Sequence, residues 1–168
     1  MRLGPFVIIV PLIFSAAPQA TAAERATARV IGLDGADRGT VEFRAADRGV
    51  LVSAKLRGLP PGVHGIHLHA VGKCDPPFDS AGPHFNPRRT SHGFLSSGGG
   101  HSGDLPNLHV PNTGVVELEV LVTDAKLTED SLLDADGASV VVHVGPDDYA
   151  TDPAGNSGAR IACGAITP

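Results

Sequence analysis

The sequence predicts an all-β domain, an antiparallel sandwich or barrel of eight strands with two long loops. Three observations predict it. From Ala26 onward, apolar and polar residues alternate in short runs broken by turn signals, the period-2 pattern of half-buried strands. No apolar stripe with a 3.6-residue period is long enough to compete. The composition, with 21 Gly, 14 Pro, six Phe, one Tyr and no Trp, describes a turn-rich chain whose core is aliphatic plus phenylalanine. At 168 residues the chain allows one domain. A domain of this size buries roughly two-thirds of its unfolded surface without help from metals or cross-links.

Residues 27–33 read as the first strand, ended by the turn signal Asp34-Gly35. Residues 40–45 form the second, with Val41 and Phe43 inward, and Asp47-Arg48-Gly49 turns the chain back. Over residues 50–57, Val50, Val52, Ala54 and Leu56 alternate with Leu51, Ser53, Lys55 and Arg57, so the third strand has a core face and a wetter face. Gly58-Leu59-Pro60-Pro61-Gly62 cannot join a ladder at either proline and is a connection. The fourth strand, residues 63–70, contains Gly65-Ile66-His67-Leu68-His69. Residues 71–102 form a loop rich in Gly, Pro and Ser, and a loop of that length inside a compact domain needs something other than a core to order it. Strands resume at residues 104–110 and 115–122; in the second, Val116, Leu118 and Val120 face in while Glu117 and Glu119 face out. Residues 123–137 are an acidic connection with room for a turn of helix. Residues 138–144, apolar on both faces except for His143, and residues 159–166 complete the count, separated by a second long loop at 145–158.

The fourth strand organises the rest. Two residues apart, His67 and His69 project from one face while Ile66 and Leu68 point to the other, so the strand can sit on a core and still present two nitrogen ligands. The further candidates His84, His92, His101, Asp104 and His143 follow His69 at intervals of 15, 8, 9, 3 and 39 residues. They come from two strands and the loop between them, a shape no helix-borne zinc motif has. A lone strand histidine is usually a structural hydrogen-bonder, and His64 and His109 read that way. The other six histidines and Asp104 make seven ligands, an odd number for two four-coordinate ions unless one imidazole serves both through its two nitrogens. Imidazole suits copper(II) and zinc, so the set reads as one all-imidazole ion beside one histidine-rich ion with a carboxylate. The only methionine is Met1, which argues against a blue-copper site. Two alternatives stay open: a zinc hydrolase using His67, His69 and His143, and a protein that buffers or delivers metal without turnover.

Met1-Arg2, an apolar stretch to Ala17, and Ala20-Thr21-Ala22 read as a secretory signal peptide cleaved after Ala22, giving a leader at 1–22 and a domain at 23–168. The 15-residue apolar stretch contains Pro5 and Pro11. It falls short of the ~20 residues a spanning helix needs, so no membrane is expected in the mature form. No twin-arginine pair or lipid-attachment cysteine is present. A secreted or periplasmic location follows. Cys74 and Cys163 suit that oxidising space as one disulfide; a pair of thiolate ligands is the weaker alternative, because neither lies at metal-ligand spacing. The net charge is −5, and removing Arg2 with the leader leaves 12 basic and 18 acidic residues, or −6. Such a balance excludes nucleic acid and anionic membranes as partners, and a small anionic substrate would need local positive charge.

Five motifs in this order, Gly65-Ile66-His67-Leu68-His69, Gly82-Pro83-His84-Phe85-Asn86-Pro87, His101-Ser102-Gly103-Asp104-Leu105-Pro106, Val141-Val142-His143-Val144 and Gly158-Ala159-Arg160-Ile161-Ala162-Cys163-Gly164, resemble the copper-zinc superoxide dismutases of the exported bacterial kind. The resemblance covers the chain from about Thr27 to its end. It implies a flattened eight-stranded Greek-key β-barrel or sandwich with the sites on the outside. It implies dismutation of superoxide to dioxygen and hydrogen peroxide by copper alternating between Cu(II) and Cu(I) beside a structural zinc, as antioxidant defence outside the cytoplasm. Residue by residue, it makes His67, His69, His84 and His143 copper ligands and His84, His92, His101 and Asp104 zinc ligands. His84 becomes the imidazolate bridge and a carrier of the proton that peroxide needs. The resemblance places Arg160 beside copper as the anion-docking residue and pairs Cys74 with Cys163. Asp147 becomes the carboxylate that accepts hydrogen bonds from His67 and His92. Members of this kind differ in association, a homodimer among the states, and no strand face shows an apolar excess that decides it. One departure stands out: the 145–158 loop holds Asp147, Asp148 and Asp152 but no lysine, so steering of the anion is expected either from Arg88 and Arg89 or to be weak. Gly98-Gly99-Gly100 after Ser96-Ser97 is expected to be a mobile segment that weakens zinc affinity.

Overall fold

The computed structural model describes residues 22–168, so the expected leader lies outside the described residues apart from Ala22. The strands are β1 (Arg25–Gly32), β2 (Asp37–Ala46), β3 (Gly49–Leu56), β4 (Gly62–His64), β5 (Ile66–His69), β6 (Leu108–Val110), β7 (Val116–Val122), β8 (Ser139–His143) and β9 (Arg160–Thr167). They pair antiparallel in a curled sheet ordered β5-β8-β9-β1-β2-β3-β7 and a two-stranded sheet β4-β6. β6 lies against β7, and only Gly65 separates β4 from β5, so the two sheets close around one interior. After β3 the chain crosses to β4 and β5, returns through β6 to lay β7 beside β3, then crosses again so that β9 lies beside β1. These are Greek-key connections rather than a meander.

Alternation places the core where the sequence puts it. Ala26, Ala28 and Val30 of β1, Val41 and Phe43 of β2, and Val50, Val52, Ala54 and Leu56 of β3 are buried inside. Ile66 and Leu68 join them from β5, Val140 and Val142 from β8. The expected strand at 63–70 divides at Gly65: β4 pairs with β6, whereas β5 pairs with β8. Gly65 donates to Gly145 O and accepts from His143 N, both at 2.8 Å, where the chain passes from one sheet to the other. The expected strand at 104–110 shrinks to β6, because Pro106 cannot donate to a ladder and Asp104 is drawn toward His67, which it opposes in an isolated bridge. The 123–137 connection is a run of turns; the one helical element among the described residues is a 3-10 turn, Asp79–Ala81, in the first long loop.

That loop has a core of its own. Phe78 and Ala81 are fully buried against Val141 and Cys163 on the outer face of the sheet, and the Cys74–Cys163 disulfide, Cα–Cα 5.6 Å, fastens the loop beside them. The bond closes a span of 89 residues. On the chain-entropy account, replacing both cysteines by serine should cost ~2–5 kcal/mol of stability. Denaturant unfolding of the metal-free protein should show the variant and the reduced parent sharing a lowered midpoint, and an unchanged midpoint would show that Phe78 packing alone secures the loop.

Candidate metal centre

His67 and His69 keep the parity the sequence predicts, opposite to Ile66 and Leu68, yet they are not exposed: they are 0% and 1% accessible, because the 71–102 and 145–158 loops cover them. His143 on β8 and His84 in the first loop complete a group whose ligand atoms lie within 4.8 Å of one another. One nitrogen of each ring is anchored. His67 Nε2 hydrogen-bonds to Asp147 Oδ2 at 2.8 Å, His69 Nδ1 to Gly82 O at 2.8 Å, His143 Nδ1 to Gly158 O at 2.9 Å and His84 Nδ1 to Asp104 Oδ1 at 3.0 Å. The opposite nitrogens, His67 Nδ1, His69 Nε2, His84 Nε2 and His143 Nε2, are buried without a hydrogen-bond partner. An unmet buried polar atom costs about 1–3 kcal/mol, so four converging acceptors are a poor apo arrangement and a good nest for a cation.

The second group, His84, His92, His101 and Asp104, adjoins the first through His84. Asp104 Oδ1 lies 3.0 Å from His84 Nδ1, 3.0 Å from His92 Nδ1 and 3.4 Å from His101 Nδ1, and His101 Nδ1 lies 3.3 Å from His84 Nδ1. Tetrahedral zinc with bonds of about 2.0 Å needs ligand atoms about 3.3 Å apart, so these spacings fit it. The other oxygen, Asp104 Oδ2, is fixed by the backbone N–H groups of Gly93 and His101 at 2.8 Å each. His64 bridges the carbonyls of His143 and Pro60 at 2.8 and 2.9 Å, the structural role expected of it, and exposed His109 joins neither group.

Asp147 ties the groups together. Its Oδ2 accepts from His67 and its Oδ1 from His92 at 2.9 Å. Sequence reasoning missed what holds Asp147. The Asn107 side chain donates to Asp147 O at 2.9 Å and accepts from Asp147 N at 2.8 Å, and Asn107 N donates to the Tyr149 hydroxyl at 2.8 Å. The one available signal was the placement of Asn107 three residues beyond Asp104. Gly155, at φ +60°, leaves room for the carboxylate: a Cβ there would sit 1.8 Å from Asp147 Oδ1. The Gly98–Gly100 segment is tied through Gly100 N to Ser96 Oγ at 3.3 Å and through Gly100 O to Thr90 Oγ1.

Burial pushes His67 down to about 3, His69 to about 2 and His143 to about 4, so these rings are neutral at pH 7, the ligating form. Burial also opposes a proton on His92, but hydrogen bonds to Asp104 and Asp147 outweigh it and raise that ring to about 9, so a cation at Nδ1 competes with a proton. Burial disfavours the charges of Asp104 and Asp147, yet their histidine hydrogen bonds hold both carboxyls well below the usual range.

Arg160 reaches the site through an irregularity. Along β9 the residues Ala162 and Ile166 point into the core, and regular alternation would send Arg160 the same way. The register between β8 and β9 slips by one residue after Val142, and Arg160 pairs with His143 on the outer face instead. Its guanidinium donates to Phe78 O and Gly82 O at 2.7 Å each; Gly82 O is the carbonyl that also holds His69. Arg160, His69, His84 and His143 open onto one cavity of about 620 Å³. Arg88 and Arg89, expected to steer the anion, are not on its walls: Asp124 draws Arg88 away at 3.5 Å.

A Greek-key barrel with two adjoining imidazole groups on its outer face, linked through both nitrogens of one ring and opening onto an arginine, has the geometry of a dinuclear metal protein, redox, hydrolytic or metal-buffering. Comparison with known proteins narrows that class. The family model described as copper/zinc superoxide dismutase (SODC) matches residues 37–166. Superoxide dismutase [Cu-Zn] 1 of Aquifex aeolicus is 44% identical over 144 residues, covering 83% of this chain and 85% of that protein. Among solved structures, a superoxide dismutase-like protein from Bacillus subtilis is 37% identical with a TM-score of 0.78, covering 86% of this chain and 99% of its own. The Cu/Zn superoxide dismutase from Brucella abortus is 32% identical with a TM-score of 0.70, covering 86% and 100%. The chain belongs to the copper/zinc superoxide dismutase family.

Two outcomes are expected of this geometry. Asn107→Ala should lower zinc affinity by about tenfold, read by chelator competition, through the loosened Asp147 rather than any ligand; an unchanged constant would make the Asn107 clamp incidental. In the metal-free protein, His67, His69 and His143 have native values below the ordinary 6.5, so between 6.5 and about 4 the unfolded state binds more protons. Stability should therefore fall as pH drops through that window, and further below 3.8 as Asp104 and Asp147 lose their advantage, whereas raised His92 acts oppositely between 6.5 and about 9. A denaturation midpoint that does not fall between pH 6.5 and 4 would contradict the assignment of buried neutral rings.

Proposed function

We propose that His67, His69, His84 and His143 hold copper, that His84, His92, His101 and Asp104 hold zinc, and that Arg160 docks superoxide at the copper side. Two superoxide anions and two protons become dioxygen and hydrogen peroxide, one anion giving up the electron the other receives. The observation that carries the reading is the convergence of four buried, unpartnered ring nitrogens beside an arginine-lined cavity. When bound, copper supplies the one-electron redox change and zinc a fixed, redox-silent charge.

The chain's own groups supply the rest. Arg160 offers a permanent charge and a planar fork, aimed by the carbonyls of Phe78 and Gly82. His84 Nε2, buried without a partner, would carry a proton to the reduced product, while Nδ1, 3.0 Å from Asp104 Oδ1, would belong to the zinc group. Asp147 fixes the tautomers of His67 and His92, so that each turns Nδ1 toward its group.

The reading extends to a leader removed after Ala22 and a mature domain at 23–168 acting in the periplasm or beyond. Ala20-Thr21-Ala22, the disulfide and the bacterial relatives support it. Among the described residues no helix is long and apolar enough to cross a membrane. The substrate is a small anion, a net charge of −5 disfavours nucleic acid, and self-association as a homodimer is a contact the family resemblance suggests.

Metal analysis paired with a dismutation assay on one sample tests the function. One copper and one zinc per chain with turnover is the expected result, and Arg160→Ala should keep both metals while losing about tenfold or more in kcat/KM. Both metals bound without turnover would point to metal buffering, and zinc alone would reopen the hydrolase.

A further inference from the structure

The cavity that exposes Arg160 has a second kind of wall. Asp130 and Asp134, from the turns between β7 and β8, line it together with Arg160 and His143. Thr128 Oγ1 holds Asp130 Oδ1 at 2.5 Å. One oxygen of Asp134 is buried without a hydrogen-bond partner, an arrangement that costs stability. Arg160 is the one cation lining this cavity, while Arg48, Arg88 and Lys126 line the neighbouring depression. Residues 117–152 carry ten carboxylates and one cation, Lys126, which lies in the neighbouring depression that Asp130 also borders. A docking arginine therefore faces two acidic groups across its own approach.

We propose that Asp130 and Asp134 form a valence filter on the anions that reach Arg160, penalising dianions more than monoanions. The inference rests on the superoxide reading of this site. Alone, Arg160 favours a dianion over a monoanion, because attraction scales with the charge of the visitor. The two carboxylates oppose that bias by the same scaling. A cavity of about 620 Å³ is about 10 Å across. A unit charge at about 10 Å in water changes the local concentration of a monoanion about twofold and of a dianion about fourfold at low ionic strength. Two such charges give about fourfold and about sixteenfold. Some superoxide on-rate is lost, and phosphate-like competitors are kept from the arginine.

The test is the pair of substitutions Asp130→Asn and Asp134→Asn, singly and together, in protein loaded with copper and zinc. Azide serves as the monoanion and hydrogen phosphate as the dianion, with binding read from the visible absorption of copper at an ionic strength of about 0.01 M, where the screening length is about 30 Å. In the double variant, azide should bind about fourfold tighter and phosphate about sixteenfold tighter, each single variant giving about the square root of that gain. kcat/KM for superoxide should rise about fourfold. At about 1 M salt, with screening near 3 Å, the differences should vanish. Equal shifts for azide and phosphate, no shift in either, or shifts that survive high salt would overturn the filter. Absent dismutation with the expected binding ratio would sink the superoxide reading and leave the filter standing; normal dismutation with equal shifts would do the reverse.

Discussion

One carboxylate, that of Asp147, accepts hydrogen bonds from His67 and His92, at 2.8 and 2.9 Å, and both histidine groups take their positions from it. Each bond commits the donating ring to one tautomer and turns its other nitrogen toward a point shared with neighbouring rings. The arrangement works only because the carboxylate is itself immobile. Asn107 clips its backbone, the Tyr149 N–H gives the carboxylate a third hydrogen bond, to Oδ1 at 2.6 Å, and Gly155 supplies space that no side chain could leave. The 145–158 loop thus acts as a strut between two histidine groups that belong to different parts of the chain.

The barrel contributes a rigid outer face, and the loops convert it into a chamber. Phe78 and the disulfide lock the first loop onto Val141 and Cys163, which fixes the Phe78 and Gly82 carbonyls that aim Arg160. Gly82 O serves both Arg160 and His69, so the cavity's arginine and one imidazole share an anchor. The register slip between β8 and β9 completes the set, because it brings Arg160 opposite His143 rather than into the core. Residues distant in sequence are coupled through carbonyls and packing, and the cost is borne by buried nitrogens that no protein group satisfies.

The strand pattern and the ligand residue types were legible in the chain because both follow from periodicity and chemistry that are local. Val50, Val52, Ala54 and Leu56 announce their face, and His67 and His69 share theirs. Features set by long-range geometry were not legible. Gly65 moves the chain between sheets, and nothing in Val63-His64-Gly65-Ile66 marks that break. Arg160 defies alternation through a slip that no single strand encodes. The burial of His67 and His69 depends on loops whose paths composition does not specify. Asn107 and Phe78 look like ordinary loop and turn residues until their partners, 40 residues away for Asn107 and Asp147, are seen. Arg88 is a different case: its charge is plain in the sequence, but its pairing with Asp124 at 3.5 Å is not.

Anomalous diffraction at the copper and zinc absorption edges, from crystals of the protein loaded with both metals, tests the central claim most directly. The account predicts copper among His67, His69, His84 and His143 and zinc among His84, His92, His101 and Asp104, with the His84 ring between them. Both metals sharing one group, or either metal bound without His84, would contradict it.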